Sequence, residues 1–268
     1  MLLRLLKILI SLIVLGSDFT KESICWMLRK KSPAKCVVLY YHSVEKGQIE
    51  RFAHQLDIIS KNAQIIPTDK SSPLEKGKCY VAITFDDGFV DVIENALPEL
   101  SKRGIPATIF VPTGYLGREA DWFRKNRKKS KKVMDAEQMR YITKNELISI
   151  GSHCISHSSL LSMTEDEAKD EIIRSKQQLE EILGKSVISL SYPHGEFANC
   201  HVELAREAGY KRAFSIEPTL MRLTSDKFVV GRVSADSDDW DLEFYLKIIG
   251  AYHWMLFASS LKHQVFPT

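Results

Sequence analysis

The chain of 268 residues is 44% hydrophobic and 26% charged, a composition typical of a globular protein with a sizeable core. Its formal net charge of +3 is too small to indicate a nucleic-acid partner. Five cysteines without a CxxC pair argue against a dense disulfide scaffold and favour reduced thiols.

The first 33 residues form a segment of their own, which we expect to associate with a membrane. The sequence MLLRLLKILISLIVLGS contains an uncharged apolar core, Ile8 to Leu15, that is short for a span of about 20 residues. A second apolar and basic patch follows at 24–31, where Trp26 and the cations behind it suit a membrane interface. No A-x-A-like cleavage site follows Leu15, and the thiols are predicted to be reduced. We therefore expect a membrane-associated protein at the cytoplasmic face of the inner membrane. An exported or periplasmic protein with a signal-anchor, a cleaved signal peptide and a buried helix are the alternatives.

Residues 34–268 are predicted to form one α/β domain. Seven apolar runs have the pattern of strands: CVVLYY (36–41), YVAITF (80–85), ATIFVP (107–112), LISIGS (147–152), VISLSY (187–192), RAFSI (212–216) and FVVGRV (228–233). Amphipathic stretches between them are typical of helices, including one with a capping box at Thr164 and an end at Gly184. Alternating strands and helices indicate a mainly parallel sheet, and this number of strands favours a closed or nearly closed barrel. A flat, doubly wound sheet is the alternative.

A block of basic residues lies between the third and fourth predicted strands. The sequence RKNRKKSKK (124–132) has the pattern of a solvated loop. A contact with anionic lipid headgroups or with an anionic polymer is the second interpretation.

Polar side chains follow four of the predicted strands at the point where each strand ends. His42 follows the first, Asp86 and Asp87 the second, His153 the fourth and His194 the fifth. Chemistry in parallel α/β folds collects at the carboxyl ends of the strands, so we expect these side chains to line one site.

The segment SHCISH suggests a metal site. Its H-x-x-x-H spacing places His153 and His157 on one face if the segment turns helically. Two histidines and one aspartate would leave a coordination position open, which is the composition of a catalytic zinc-type site. The metal would act as a Lewis acid and make water more acidic, while the second aspartate takes the proton. Alternatively, the adjacent aspartates simply form a turn that caps a helix.

Three motifs together resemble the polysaccharide deacetylase, or NodB-homology, family (carbohydrate esterase family 4). They are TFDDG (84–88), SHCISH (152–157) and SYPHG (191–195), and the resemblance extends over roughly 36–251. It implies a distorted (β/α) barrel that removes N- or O-acetyl groups from sugars.

The resemblance also implies roles for four residues. Asp86 corresponds to the catalytic base, and Asp87, His153 and His157 correspond to the metal ligands. The cofactor expected is a divalent metal, Zn²⁺ first and Co²⁺ or Ni²⁺ as alternatives.

The third motif departs from the family form Arg-x-Pro-Tyr-Gly. Ser191 stands at the arginine position and His194 at the tyrosine position. His194 can still support an oxyanion through its main-chain N–H. Arg232 is our hypothetical substitute for the arginine that orients the base in the family.

The general acid is harder to place. DSDDW (236–240) matches the family's fourth motif, but we interpret it as a loop or helix cap, and the fifth motif has no convincing match. The segment YYHSV is similar to a subgroup that deacetylates poly-N-acetylglucosamine, so His42 is the predicted acid. The alternative is that His42 only lines the pocket.

The leading hypothesis is a metal-dependent hydrolase that removes N-acetyl groups from an amino sugar in a glycan or glycolipid. Its partners would be that N-acetylated substrate and a membrane surface, with no nucleic acid. A deformylase of a lipid-linked sugar, or a hydrolase of a small amide, keeps the mechanism and changes the substrate. An inactive glycan-binding barrel is the alternative from another class.

Overall fold

The computed structural model describes residues 1–70, 72–122, 130–221 and 226–256. Its strands are β1 Lys35–Tyr41, β2 Gln64–Ile65, β3 Cys79–Phe85, β4 Ala107–Val111, β5 Ile148–Ser152, β6 Ser189–Ser191, β7 Arg212–Phe214 and β8 Val233–Ser234. Its α-helices are α1 Leu2–Met27, α2 Ile49–Asn62, α3 Leu97–Lys102, α4 Ala136–Ile142, α5 Glu165–Leu183, α6 Asn199–Glu207 and α7 Asp241–Ile248.

All strand pairs in the sheet are parallel, and the order is β7-β6-β5-β4-β3-β1-β8, with β2 pairing to β3 beside this path. The central strands β1 and β3 are almost continuously buried, as expected of a parallel sheet covered on both faces. Their apolar runs are therefore continuous rather than alternating.

The segment 227–234 connects the two edges of the sheet. Val230 forms a parallel bridge with Phe214 of β7, and β8 pairs with β1 through Leu39↔Val233 and Tyr40↔Ser234. The sheet therefore curls into a distorted barrel, and the predicted fold of about seven parallel strands is confirmed. The predicted strand 228–233 is wrong in its extent, because only its last residue continues into the regular strand β8.

The helix signals of the sequence correspond to observed helices. The side chain of Thr164 accepts a hydrogen bond from the Glu167 amide at the start of α5, and Gly184 ends that helix with φ 65°. Glycine is favoured in this left-handed conformation because glycine has no Cβ to clash with the backbone. Between β3 and β4 the chain forms a π-helical turn, Val92–Ala96, that continues into α3.

The predicted N-terminal apolar helix is α1, which has 26 residues and packs against α7. Across the described parts of the chain, we find no helix with both the length and the apolar character needed to cross a bilayer. The division between a membrane-associating segment at 1–33 and a barrel domain at 34–268 stays a prediction. Most of the basic block, 124–129, lies outside the described residues.

Candidate active site

A cleft of about 840 Å³ opens at the carboxyl ends of the strands. The predicted site residues that line it are His42, Asp86, Asp87, His153, His157 and His194. Four strand ends thus contribute to one concave site, because parallel strands bring their carboxyl ends to the same edge. Arg232 is fully buried and contacts this group through Asp86.

Arg232 and Asp86 form a bidentate ion pair. The two Nη–Oδ distances are both 2.7 Å, Nη1 to Oδ1 and Nη2 to Oδ2. The remaining hydrogen bonds of the guanidinium go to the Ser215 carbonyl oxygen at 3.0 Å, Thr84 Oγ1 at 3.1 Å and Ser191 Oγ at 2.8 Å. All five N–H donors of the arginine are therefore satisfied, as a buried guanidinium requires.

This environment keeps the Asp86 carboxylate ionised. Burial raises the pKa of Asp86, but the charge and hydrogen bonds of Arg232, together with the nearby His153 and His42, outweigh burial, and the pKa is lowered to about 2. The fixed guanidinium also sets the plane of the carboxylate. Asp86 is thus an oriented proton acceptor at neutral pH, which is the requirement for a general base.

Asp87, His153 and His157 form a buried cluster beside this base. Each offers one ligand atom, and these atoms lie within 4.8 Å of one another. Asp87 Oδ1 is 3.0 Å from Nε2 of His157 and 3.6 Å from Nε2 of His153. Nevertheless, Asp87 Oδ1 receives no well-directed hydrogen bond from the described residues. A buried carboxylate oxygen that faces two imidazole nitrogens in this way fits a cation at their centre.

The hydrogen bond at Nδ1 of His153 leaves Nε2 of that ring as the atom that could bind a metal. Its Nδ1 lies 2.8 Å from the carbonyl oxygen of Ser191, which can only accept, so Nδ1 carries the proton. Burial lowers the pKa of His153 to about 4. The ring is therefore neutral at physiological pH, and Nε2 presents its lone pair to the cluster.

The loop that carries the two histidines is not a helical turn, so the predicted reason for their proximity is wrong. Cys154 and His157 have φ values of 60° and 55°, a left-handed conformation that costs free energy for residues other than glycine. The carboxylate of Glu171 accepts the amide N–H groups of Ile155 at 2.7 Å and Ser156 at 2.9 Å. This contact holds the strained loop against α5.

The sequence did not point to Glu171, and it also missed Trp122. The indole of Trp122 stacks on the imidazole of His157 with centroids 4.0 Å apart and an interplanar angle of 15°. It also lines the cleft, together with Lys131 from the described end of the basic block. Lys131 donates to Asp91 Oδ2 at 2.8 Å. Trp122 and Lys131 come from the loop after β4, where the sequence shows no motif at a strand end.

The other predicted residues occupy the rim of the cleft. His42 is exposed, and its ring meets that of Tyr40 edge-on at 5.7 Å. His194 has φ 58°, and its Nε2 lies 3.2 Å from the main-chain oxygen of His157. Asp236 also lines the cleft and accepts the Asp238 amide at 2.8 Å, the geometry of a loop turn. The catalytic roles of His42 and His194 stay predictions.

Comparison with known proteins agrees with this arrangement of strands and motifs. The family model described as polysaccharide deacetylase matches residues 74–213, more than half of the chain. The chain belongs to the polysaccharide deacetylase family.

Two curated relatives are similar to this deacetylase-family chain. YxkH of Bacillus subtilis (strain 168), a protein assigned to the polysaccharide deacetylases, is 29% identical over 226 residues, which cover 79% of this chain and 75% of YxkH. The poly-beta-1,6-N-acetyl-D-glucosamine N-deacetylase of Staphylococcus aureus (strain MRSA252) is 28% identical over 167 residues. That alignment covers 61% of this chain and 57% of the relative.

Two solved structures share the fold. IcaB from Ammonifex degensii superposes with a TM-score of 0.69 at 24% identity, covering 83% of this chain and 98% of that one. The Streptococcus pyogenes deacetylase PplD superposes with a TM-score of 0.64 at 20% identity, covering 81% and 99%. At these identities the likeness supports the fold alone.

Proposed function

We propose that this member of the polysaccharide deacetylase family is a metal-dependent hydrolase that removes N-acetyl groups from an amino sugar in a glycan or glycolipid. The observation that carries the proposal is the Asp86–Arg232 pair placed directly beside the Asp87, His153 and His157 cluster. A protein that only binds glycan has no need of an ionised, oriented base next to three converging ligands. The pair therefore argues against the inactive glycan-binding barrel.

The cluster would hold a divalent cation, and we propose Zn²⁺. Two imidazoles and one carboxylate are the ligand types of catalytic zinc sites, which keep a coordination position open. When bound, the cation would polarise the acyl carbonyl and make water a stronger acid. Co²⁺ and Ni²⁺ accept the same ligands and are the alternatives.

The side chains around the cluster have separate roles in this proposal. Asp86 accepts a proton from the attacking water, because its carboxylate is ionised and fixed by Arg232. The main-chain N–H of His194 donates to the developing oxyanion. His42, exposed at the mouth of the cleft, donates a proton to the leaving amine.

The substrate class follows from the relatives and from the shape of the site. A relative named for poly-beta-1,6-N-acetyl-D-glucosamine supports an N-acetylated glucosamine unit as the group acted upon. The cleft is open at the rim and large enough for a sugar residue with its acetamide.

The decisive experiment measures acid release by the purified, Zn²⁺-loaded protein. Chitooligosaccharides, β-1,6-linked N-acetylglucosamine oligomers and formamido-sugars are supplied in parallel, and acetate and formate are quantified. We expect acetate release from an N-acetylated oligomer, and loss of that release in Asp86→Asn. Formate release alone would instead support the deformylase. Bound metal without release from any substrate would support the glycan binder.

The same assay tests the proposed acid. His42→Ala is expected to lower kcat by about 10²–10⁴ while leaving the zinc content at the wild-type level. A loss of less than tenfold would show that His42 only lines the cleft.

A further inference from the structure

Helix α1 is attached to the barrel by a side on which polar and charged residues are interspersed with apolar ones. The residues that face the protein recur every three or four positions, at Arg4, Ile8, Ser11, Leu15 and Asp18. Ile8 and Leu15 reach the core cluster, whereas Ser11 accepts a hydrogen bond from the indole of Trp254 at 2.9 Å. Asp18 pairs with Lys35 at 3.1 Å.

A group of four charges fixes the first turns of α1. Arg4 bonds to Glu243 and lies 3.9 Å from Asp239, while Lys247 of α7 pairs with Asp239 at 2.7 Å and Glu243 at 3.7 Å. The side chains of Asp239, Glu243 and Lys247 are at most 10% exposed. Without Arg4, two buried carboxylates would share one ammonium group, which is unfavourable at low dielectric. The charges therefore favour the docked position of α1.

The opposite side of α1 is apolar and faces outward. Its residues are Leu2, Leu5, Leu6, Leu9, Leu12 and Ile13, which are 41–83% exposed. Contiguous apolar patches on a protein surface mark sites that are covered by a partner or by lipid. We therefore expect the apolar side of α1 to be covered by a partner or by lipid.

The residues at the carboxyl end of α1 indicate what the occupant is. The end of α1 exposes Trp26, and the three consecutive cations Arg29, Lys30 and Lys31 follow directly, all exposed. An apolar helix face that is followed along the chain by an exposed tryptophan and a cationic cluster is complementary to an anionic bilayer surface. We propose that α1 is an interfacial anchor whose outer side lies in a membrane surface rich in anionic lipid while its inner side stays bonded to the barrel.

The contacts at the two ends of α1 define how the barrel would lie on that surface. Arg4 contacts Asp238, which belongs to the loop after β8 at the carboxyl edge of the sheet. Asp18 contacts Lys35, the first residue of β1 at the amino edge. The 14 residue steps from Arg4 to Asp18 span about 21 Å of helix, close to the roughly 20 Å between the first and last residues of β1. Helix α1 thus runs along the barrel wall, and the active-site cleft opens along the membrane surface.

Vesicle binding by the full chain tests the proposal. The wild type is sedimented with phosphatidylcholine vesicles, with and without phosphatidylglycerol, and compared with Leu9→Gln/Ile13→Gln. The matched control is Tyr141→Gln/Leu161→Gln, because these apolar residues have similar exposure elsewhere on the surface. We expect binding only when phosphatidylglycerol is present, at least a tenfold loss of affinity in the α1 variant, and no change in the control.

Two further measurements separate the other occupants of the outer side. A wild-type dimer that becomes monomeric in Leu9→Gln/Ile13→Gln would show that a second copy covers α1, and would overturn the proposal. Absence of vesicle binding by the wild type would also overturn it.

Quenching of Trp26 fluorescence by lipids brominated near the headgroup is expected, with Trp26→Phe as the reference. Stronger quenching by bromine at the chain ends would instead indicate a spanning helix. Zinc content and acetate release from a soluble oligomer should be the same in all these variants, so this proposal can fail without the proposed function.

Discussion

At the scale of single residues, the proposed base Asp86 is held by an arginine that comes from a different position than in the family motif. Ser191 occupies the place of the arginine in the family motif, and its hydroxyl accepts a hydrogen bond from Arg232 at 2.8 Å. The guanidinium thus reaches Asp86 from the segment that closes the barrel rather than from the strand β6. The contact that the hypothesis required is present, while the orienting role itself stays a prediction.

Replacing Arg232 by lysine should impair catalysis and shift its pH dependence. A lysine supplies a single point charge and cannot make the bidentate contact. With weaker compensation from the lysine, burial raises the pKa of Asp86 above its wild-type value, so the acid limb of the kcat profile should move to higher pH. We expect kcat to fall by about 10²-fold, the size seen when one oriented charge-stabilising donor is lost.

The control for this substitution is Arg206→Lys, which alters a half-exposed pair with Asp226. It should leave both kcat and the pH profile unchanged, because exposed ion pairs contribute little. An unchanged acid limb in Arg232→Lys would remove Arg232 from the mechanism. Arg232→Ala is a less informative variant, since an unpaired buried carboxylate destabilises a fold by about 3–5 kcal/mol.

The residues that the sequence could predict are those that belong to a motif at a strand end. Asp87, His153 and His157 met this condition, and the structure brings their ligand atoms together. Glu171 did not, because it is one of many acidic residues on α5 and only the fold shows which of them faces the loop. Trp122 could not be predicted as a site residue either, since stacking on an imidazole depends on tertiary packing rather than on any local pattern.

At the scale of elements, the histidine loop depends on α5 for its shape. Two residues in left-handed conformation make the loop costly, and Glu171 offsets part of that cost by accepting two consecutive amide N–H groups. Charge-assisted hydrogen bonds of this kind are stronger than those between neutral groups. Through this contact α5 supports the backbone between His153 and His157, the two histidines proposed as metal ligands.

Glu171→Ala should weaken metal binding although Glu171 is not a ligand. Loss of a partner that orients a ligand typically costs about 10–100-fold in metal affinity, so we expect that range for Zn²⁺. Glu171→Gln should lose less, because its amide oxygen can still accept both N–H groups. Competition with a chromophoric chelator measures the affinity.

Glu181→Ala on the same helix is the control, since Glu181 is exposed and remote from the loop. Its affinity for Zn²⁺ should equal that of the wild type. If Glu171→Ala also binds Zn²⁺ as tightly as the wild type, the loop holds its shape without α5.

At the scale of the whole molecule, the number and order of the elements predicted a parallel, nearly closed barrel, but not which residues close it. Alternation of strands and helices predicted the parallel sheet, because each apolar run marks one buried strand. The two-residue strands β2 and β8 are too short to give a periodic signal. The position of α1 could not be predicted either, since its apolar sequence suggested burial or a membrane but not the ion pairs and hydrogen bonds that attach it to the barrel.

The charge group beneath α1 makes a prediction about the stability of the whole chain. Burial raises the pKa of Asp239, and Arg4 is one of the two cations that lie near this carboxyl group. Arg4→Met leaves Asp239 and Glu243 with Lys247 alone, so ionising the pair in the folded state becomes less favourable. We expect a loss of about 1–3 kcal/mol at neutral pH, or a Tm lower by several degrees.

The sign of the pH dependence distinguishes this explanation from simple loss of packing. A carboxyl group whose pKa is raised in the folded state destabilises the fold at pH values above its unfolded pKa, and this effect disappears as pH falls and the group is protonated. The Tm difference between wild type and Arg4→Met should therefore shrink from neutral to acid pH. Lys21→Met is the control, because Lys21 is 71% exposed and its pair with Asp18 is 3.6 Å long. A Tm difference that stays constant with pH would mean that Arg4 holds α1 through packing, and the charges would then have no part in docking the helix.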